Sequence, residues 1–247
     1  MSKKLKIHKV RDKTDSYYTI KNNNLFNIPF RMLINGASQR SGKTTAAINL
    51  ILKNEGYNND FEGDNIYIVS NNKLDNKIKI LIEQKEIPSS NIMRFNEEML
   101  NALYEVLEED FEEAVQLGRK PPNVLILFDD CAYSNKLKDK TDGIVSKLIM
   151  NGRHANISQI YITQKLTLCS TALRSNVNSA ILFQTTKKEL EQIEQDFNYL
   201  KTKKQFMNMF HDVTKERNSF LVVDLNNDIE DMYLNRDFEI INSSQYL

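Results

Sequence analysis

The segment Asn35-Gly36-Ala37-Ser38-Gln39-Arg40-Ser41-Gly42-Lys43-Thr44-Thr45 carries the residue types that hold a polyphosphate. The short apolar run Met32–Ile34 precedes it, and a helical pattern over 46–53 follows it. A strand-to-helix turn at this point aims backbone N–H groups at phosphate oxygens, and the helix N-terminus adds partial positive charge. The binding loop would comprise Ala37, Ser38, Gln39, Arg40, Ser41, Gly42, Lys43 and Thr44, with Thr45 beside it. Gly42 allows close backbone approach, Lys43 reaches the β- and γ-phosphates, and the Thr44 hydroxyl ligates Mg2+. Ala37 stands where the usual spacing has its first glycine, and Gly36 comes one residue early. The alternative, a chance Gly-Lys-Thr in a loop, is disfavoured by the strand before it and the helix after it.

A phosphate loop does not by itself separate kinases, GTPases and motors, so the later strands decide. Val124–Phe128 is an aliphatic run ending in Asp129 and Asp130. At the carboxyl edge of a parallel sheet, Asp129 is placed to hold the magnesium shell, and Asp130 to polarise an attacking water. Turn-forming aspartates are the alternative. Gln159–Thr163 is a further strand, ending at Gln164. If it is inserted between the two motif strands, Gln164 faces the γ-phosphate; otherwise it is an ordinary strand-end amide. After Asp130 come Lys136, Lys138 and Lys140 at alternating positions. Repeated around a ring, these lysines would grip a DNA backbone without reading bases. A solvated loop is the competing explanation.

These residues need a sheet to bring them together, and the hydrophobic pattern supplies one. Candidate strands are Met32–Ile34, Ile66–Val69, Val124–Phe128, Gln159–Thr163, Ala180–Phe183 and Phe220–Val223, short enough for buried parallel strands. Between them run amphipathic stretches. Asn96 to Leu117 repeats Met99, Leu100, Leu103, Val106, Leu107, Phe111 and Val115 at three- and four-residue spacing, with Glu97 and Glu98 in the first turn and Gly118 as the stop. Thr186 with Glu189 predicts a capping box ahead of Leu190, Ile193 and Phe197. Strand and helix in alternation predict an α/β fold with helices on both faces of the sheet.

The chain has 247 residues, of which 33 are basic and 33 acidic, so bulk charge does not make it a nucleic-acid coat protein. The charge is unevenly spread: residues 1–50 carry a net of +8, leaving −8 for the remainder. The longest aliphatic and aromatic run is five residues, far short of the ~20 a membrane span needs. No apolar stretch follows the early lysines, so no secretory signal is expected. Cys131 and Cys169 lie far apart, and His8, His154 and His211 fall at no zinc spacing, which predicts a reducing compartment and no structural zinc. No G-x-G pair exists for a dinucleotide fingerprint. We expect a basic N-terminal arm over 1–30, a phosphate-loop ATPase domain over 31–225 and a tail over 226–247.

The phosphate loop, the Asp129-Asp130 strand, the segment Asn151-Gly152-Arg153-His154-Ala155-Asn156-Ile157-Ser158 running to Gln164, and Leu173-Arg174-Ser175-Asn176 together resemble the FtsK–HerA-type ATPases. Within these, the chain is similar to the DNA-packaging ATPases of poxviruses, giant viruses and virophages. The resemblance implies an α/β P-loop NTPase of the ASCE, RecA-like type, with a mainly parallel sheet flanked by helices. It implies ATP and Mg2+ as cofactors and a homo-oligomeric ring, pentamer or hexamer. The ring would drive double-stranded viral DNA into a capsid, at its vertex, in the host-cell cytoplasm or viral factory or associated with the virion. It also implies an arginine finger acting on a neighbouring subunit's nucleotide. Arg153 is favoured because it precedes the Gln-ended strand; Arg174 stays open, and either residue could instead be a structural arginine. Asp130 stands where many relatives carry Glu. Another DNA translocase or helicase of this superfamily, and a nucleotide-dependent capsid-assembly scaffold, are the competing readings.

Overall fold

The computed structural model describes residues 17–22, 24–37, 41–131 and 143–247. The expected site residues Ser38, Gln39, Arg40, Lys136, Lys138 and Lys140 lie outside the described residues. In chain order the elements are β1 (Arg31–Asn35), α1 (Lys43–Leu52), β2 (Ile66–Ser70), α2 (Asn76–Lys85), β3 (Ile92–Met93), α3 (Glu97–Gln116) and β4 (Val124–Asp129). There follow α4 (Ile144–Asn151), β5 (Ile157–Thr163), α5 (Thr171–Asn176), β6 (Ser179–Phe183), α6 (Lys187–Phe197), α7 (Lys203–Thr214), β7 (Phe220–Asp224) and β8 (Tyr233–Leu234).

The strands form one sheet in the order β3-β2-β4-β5-β1-β6-β7-β8. Pairings from β3 through β6 are parallel; β7 joins β6 antiparallel, and β8 joins β7 antiparallel. The expected mainly parallel sheet is therefore present, and β5 lies between β1 and β4. Its register sets Asn35 beside Thr163, and Asp129 beside Ile162. The ends of the phosphate-loop strand, the Gln-ended strand and the Asp-ended strand thus share one edge.

Period-two alternation divides each central strand between two cores. Val124, Ile126 and Phe128 face α3, α4, α6 and α7, whereas Leu125 and Leu127 face α1 and α2. Helices on both faces explain why strand residues of either parity are apolar and buried. In α3, the side chain of Asn96 accepts from Met99 N at 3.0 Å. The helix closes with Gly118 at φ 66, its N–H bonded to Val115 O and that of Arg119 to Ala114 O, a Schellman end.

One expectation changes. The capping box at Thr186 does not form: its side chain makes no cap bond. Glu189 is buried and instead accepts from Thr167 N at 3.2 Å and Thr167 Oγ1 at 2.7 Å, because a long-range partner inside the fold outcompetes the local one. Before residue 31, Leu25, Phe26, Ile28 and Phe30 are buried and Thr19 bridges Ile28. Beyond residue 225, Met232, Tyr233, Leu234 and Ile241 are buried, and β8 extends the sheet. Among the described residues, no helix is long and apolar enough to cross a membrane.

Candidate functional site

Gly42 caps α1 in the left-handed conformation, φ 86, and Lys43 begins the helix. A side chain at Gly42 would be strained by that backbone, so glycine is required there. Asn218, from the loop before β7, sits against it: a Cβ at Gly42 would lie 3.4 Å from Asn218 Oδ1. Gly36 has a separate reason. A Cβ there would come within 2.6 Å of the Phe183 Cβ, so the early glycine lets the end of β1 pass β6. Ala37 can then replace the usual first glycine while its N–H bonds Gln184 O at 3.4 Å.

The Lys43 side chain is buried and curls over the loop, donating to Ala37 O at 2.8 Å and Ser41 Oγ at 3.1 Å. Burial lowers its pKa below 10.5, and the negative charges of Asp130 and Asp129 act the other way. Thr44 is half-buried and Thr45 exposed at the first turn of α1, both on the wall of a groove of about 950 Å3.

Across the sheet edge, Asp129 ends β4 opposite Ser70 of β2. Burial, then repulsion from Asp130 and Asp75, raises the Asp129 carboxyl from 3.8 to about 6, despite the pull of Lys43. Asp130 follows in the left-handed region at φ 51. Its pKa too is raised by burial, with Lys43 opposing. Its Oδ2 accepts from Gln164 Nε2 at 3.2 Å and from Asn72 Nδ2 at 3.3 Å, while Oδ1 is buried with no hydrogen-bond partner among the described residues. Ser70 Oγ is likewise buried and unpartnered there.

These features suit a divalent cation. A pair of adjacent carboxylates held above their ordinary pKa is stabilised by any cation that reaches it. Among the described residues no cluster of three His, Cys, Asp or Glu could cage a metal. The residues that could hold one are Thr44, through its hydroxyl, and Asp129, through its carboxylate, a set that would fit Mg2+ if phosphate oxygens completed the shell.

The two candidate fingers lie elsewhere. Arg174 Nη1 holds both oxygens of Asp196, at 2.9 and 2.7 Å, in a pair only 15% and 18% exposed. That is the structural alternative for this residue. Arg153 is exposed in the 3-10 turn Gly152–Ala155, ahead of β5. The seven residues of β5 separate it from the edge that carries Gln164, roughly 20 Å at the strand rise. It does not reach its own chain's loop. Gly152 itself is a packing residue: a Cβ there would lie 2.6 Å from Gln159 Nε2, which donates to Leu148 O at 2.7 Å.

Sequence reasoning missed Asn72, Ser70, Arg217 and Asn218. The polar run Ser70-Asn71-Asn72 after an aliphatic strand was a visible signal, but only the neighbouring of β2 and β4 brings it to Asp130. Arg217 and Asn218 line both cavities that meet the phosphate loop, and nothing local in the sequence marks them.

A family model described as Poxvirus A32 protein matches residues 18–235. No curated protein matches the chain significantly. Among solved structures, the genome packaging NTPase B204 from Sulfolobus turreted icosahedral virus 2, in complex with sulfate, is similar at 16% identity and TM-score 0.58, covering 87% of this chain and 98% of that one. The same NTPase in complex with AMP gives 16% identity and TM-score 0.54, over 80% of this chain and 93% of that one. EssC (ATPases 2 and 3) from Geobacillus thermodenitrificans gives 12% identity and TM-score 0.56, over 79% of this chain and 38% of that one. At these identities the likeness is one of fold. The family match runs from the N-terminal bridge through β8 and takes in the phosphate loop, Asp129, Asp130 and Gln164, so the chain belongs to the Poxvirus A32 protein family.

Proposed function

We propose that the chain is an ATP-hydrolysing motor that moves double-stranded viral DNA into a capsid. The observation that carries this reading is the convergence of three strand ends: the phosphate loop after β1, Gln164 after β5 and Asp129-Asp130 after β4, with Gln164 bonded to Asp130 at 3.2 Å. Membership of the Poxvirus A32 family, and a fold shared with a viral genome packaging NTPase, support the packaging role.

In this reading Lys43 releases Ala37 O and Ser41 Oγ and turns to the β- and γ-phosphates of ATP. The free oxygen of Asp130, Oδ1, takes the proton of the attacking water, while Gln164 and Asn72 hold Oδ2. Mg2+ held by Thr44 and Asp129 would neutralise charge on the phosphates. Arg153 acts in trans in a homo-oligomeric ring, since its own loop is out of reach and a neighbour's can face it. Lys136, Lys138 and Lys140 contact the DNA backbone within the ring, and the work is done in the viral factory.

The test is ATP hydrolysis against protein concentration, with and without double-stranded DNA, for the wild type and Asp130→Asn. Turnover that rises steeply with concentration, is stimulated by DNA and is lost in the variant is the expected result. Turnover in assembled rings that ignores both DNA and Asp130 would overturn the motor reading.

A further inference from the structure

The groove that meets the phosphate loop extends well past it. From Gly42–Thr45 and Arg217 it follows the outer face of α1, past Leu50, to a turn carrying Arg236, Asp237 and Phe238. A triphosphate alone would leave most of its 950 Å3 unfilled.

The far wall is built rather than trailing. Asn235 N donates to Glu239 O at 2.9 Å, and Asn235 Oδ1 accepts from Asp237 N at 2.9 Å and Glu239 N at 3.1 Å. The Phe238 carbonyl accepts from Asn24 Nδ2 at 3.0 Å, and its ring meets buried Phe26 edge-on, centroids 6.0 Å apart. Phe238 sits at φ 61, a conformation a bulky residue holds only where its surroundings fix it.

The chemistry of this half is that of a flat apolar ligand end with polar substituents. Leu25, Leu50 and Phe238 give an apolar floor, and the Arg236–Asp237 pair, 3.7 Å apart, gives a charged rim.

Resting on the reading that the loop binds a nucleoside triphosphate, we infer that the outer groove of α1 is the nucleoside site, with the base packed against Phe238. The segment after β7 is then a working part of the nucleotide site. Arg217 stands where nucleoside and phosphates meet, with no described carboxylate within salt-bridge distance.

The test is equilibrium binding of the full chain to two probes with Mg2+: the non-hydrolysable methylene analogue of ATP, and inorganic tripolyphosphate, which lacks a nucleoside. Phe238→Ala and Arg236→Ala are compared with Lys43→Ala. We expect Phe238→Ala to weaken the ATP analogue about tenfold, and Arg236→Ala to weaken it too. Both variants should hold tripolyphosphate as the wild type does. Unchanged analogue binding in both variants would overturn the proposal. Should Phe238→Ala disturb the fold, tripolyphosphate binding falls as well, and the exposed Arg236 decides: equal loss of both probes in Arg236→Ala counts against the groove. Tripolyphosphate binding that survives Lys43→Ala would instead refute the phosphate-loop reading on which the groove rests.

Discussion

Asp129→Asn should make the nucleotide-free protein more stable while removing its response to magnesium nucleotide. The carboxyl is raised from 3.8 to about 6, first by burial and then by Asp130 and Asp75. A carboxyl whose pKa is raised on folding costs stability wherever the unfolded chain would be ionised. The cost is fully present above pH 6, shrinks as pH falls through the folded value and disappears below the unfolded one. At about 1.36 kcal/mol per pH unit, the displacement is worth about 3 kcal/mol at pH 7.5 and about 1.6 kcal/mol at pH 5. Solvent at this half-buried edge screens part of it, so these are upper figures. An asparagine of the same shape removes the charge and keeps an oxygen. Urea unfolding with a chelator present, at pH 7.5, 5 and 3, would measure the difference between variant and wild type. We expect a gain that is largest at pH 7.5, smaller at pH 5 and close to zero at pH 3. A variant that is less stable at pH 7.5, or a gain that does not change with pH, would refute the electrostatic account of this edge.

Arg174→Ala leaves Asp196 uncompensated and should cost about 2–4 kcal/mol, read by thermal unfolding; loss of turnover with no change in melting would instead make Arg174 a finger. Arg153→Ala should leave the melting temperature alone and lower kcat only at concentrations where the chain assembles, whereas an equal loss in the monomer would exclude a role in trans. Gly36→Ala drives a Cβ to 2.6 Å from the Phe183 Cβ and should cost about 1–3 kcal/mol, seen as a lower denaturation midpoint with unchanged slope. Asn72→Ala removes one of two amide donors to Asp130 Oδ2 and should lower kcat severalfold with little change in KM for ATP; a rise in KM alone would place Asn72 in binding.

The nature of the chemistry was written locally. A Gly-Lys-Thr between an apolar strand and a helix, and two carboxylates after Val124–Phe128, are legible because each depends on a few consecutive residues and a two- or 3.6-residue period. All six expected strands are present for the same reason, and the Asn96 start and Gly118 stop of α3 hold because capping is a local contest. Sequence could not see where a side chain has two suitors. Glu189 leaves its own helix start for Thr167, and Arg174 is claimed by Asp196. Nor could it see across the sheet. Asn72 reaches Asp130 only because β2 pairs with β4, and the residues after Asp224 become core and groove wall only because β8 pairs with β7. The sequence by itself determined which residue types end these strands and begin α1, since each motif lies within one short segment. Tertiary structure alone decided which amides brace Asp130 and what lies beyond the loop along α1, because strand order and packing bring together residues tens to hundreds of positions apart.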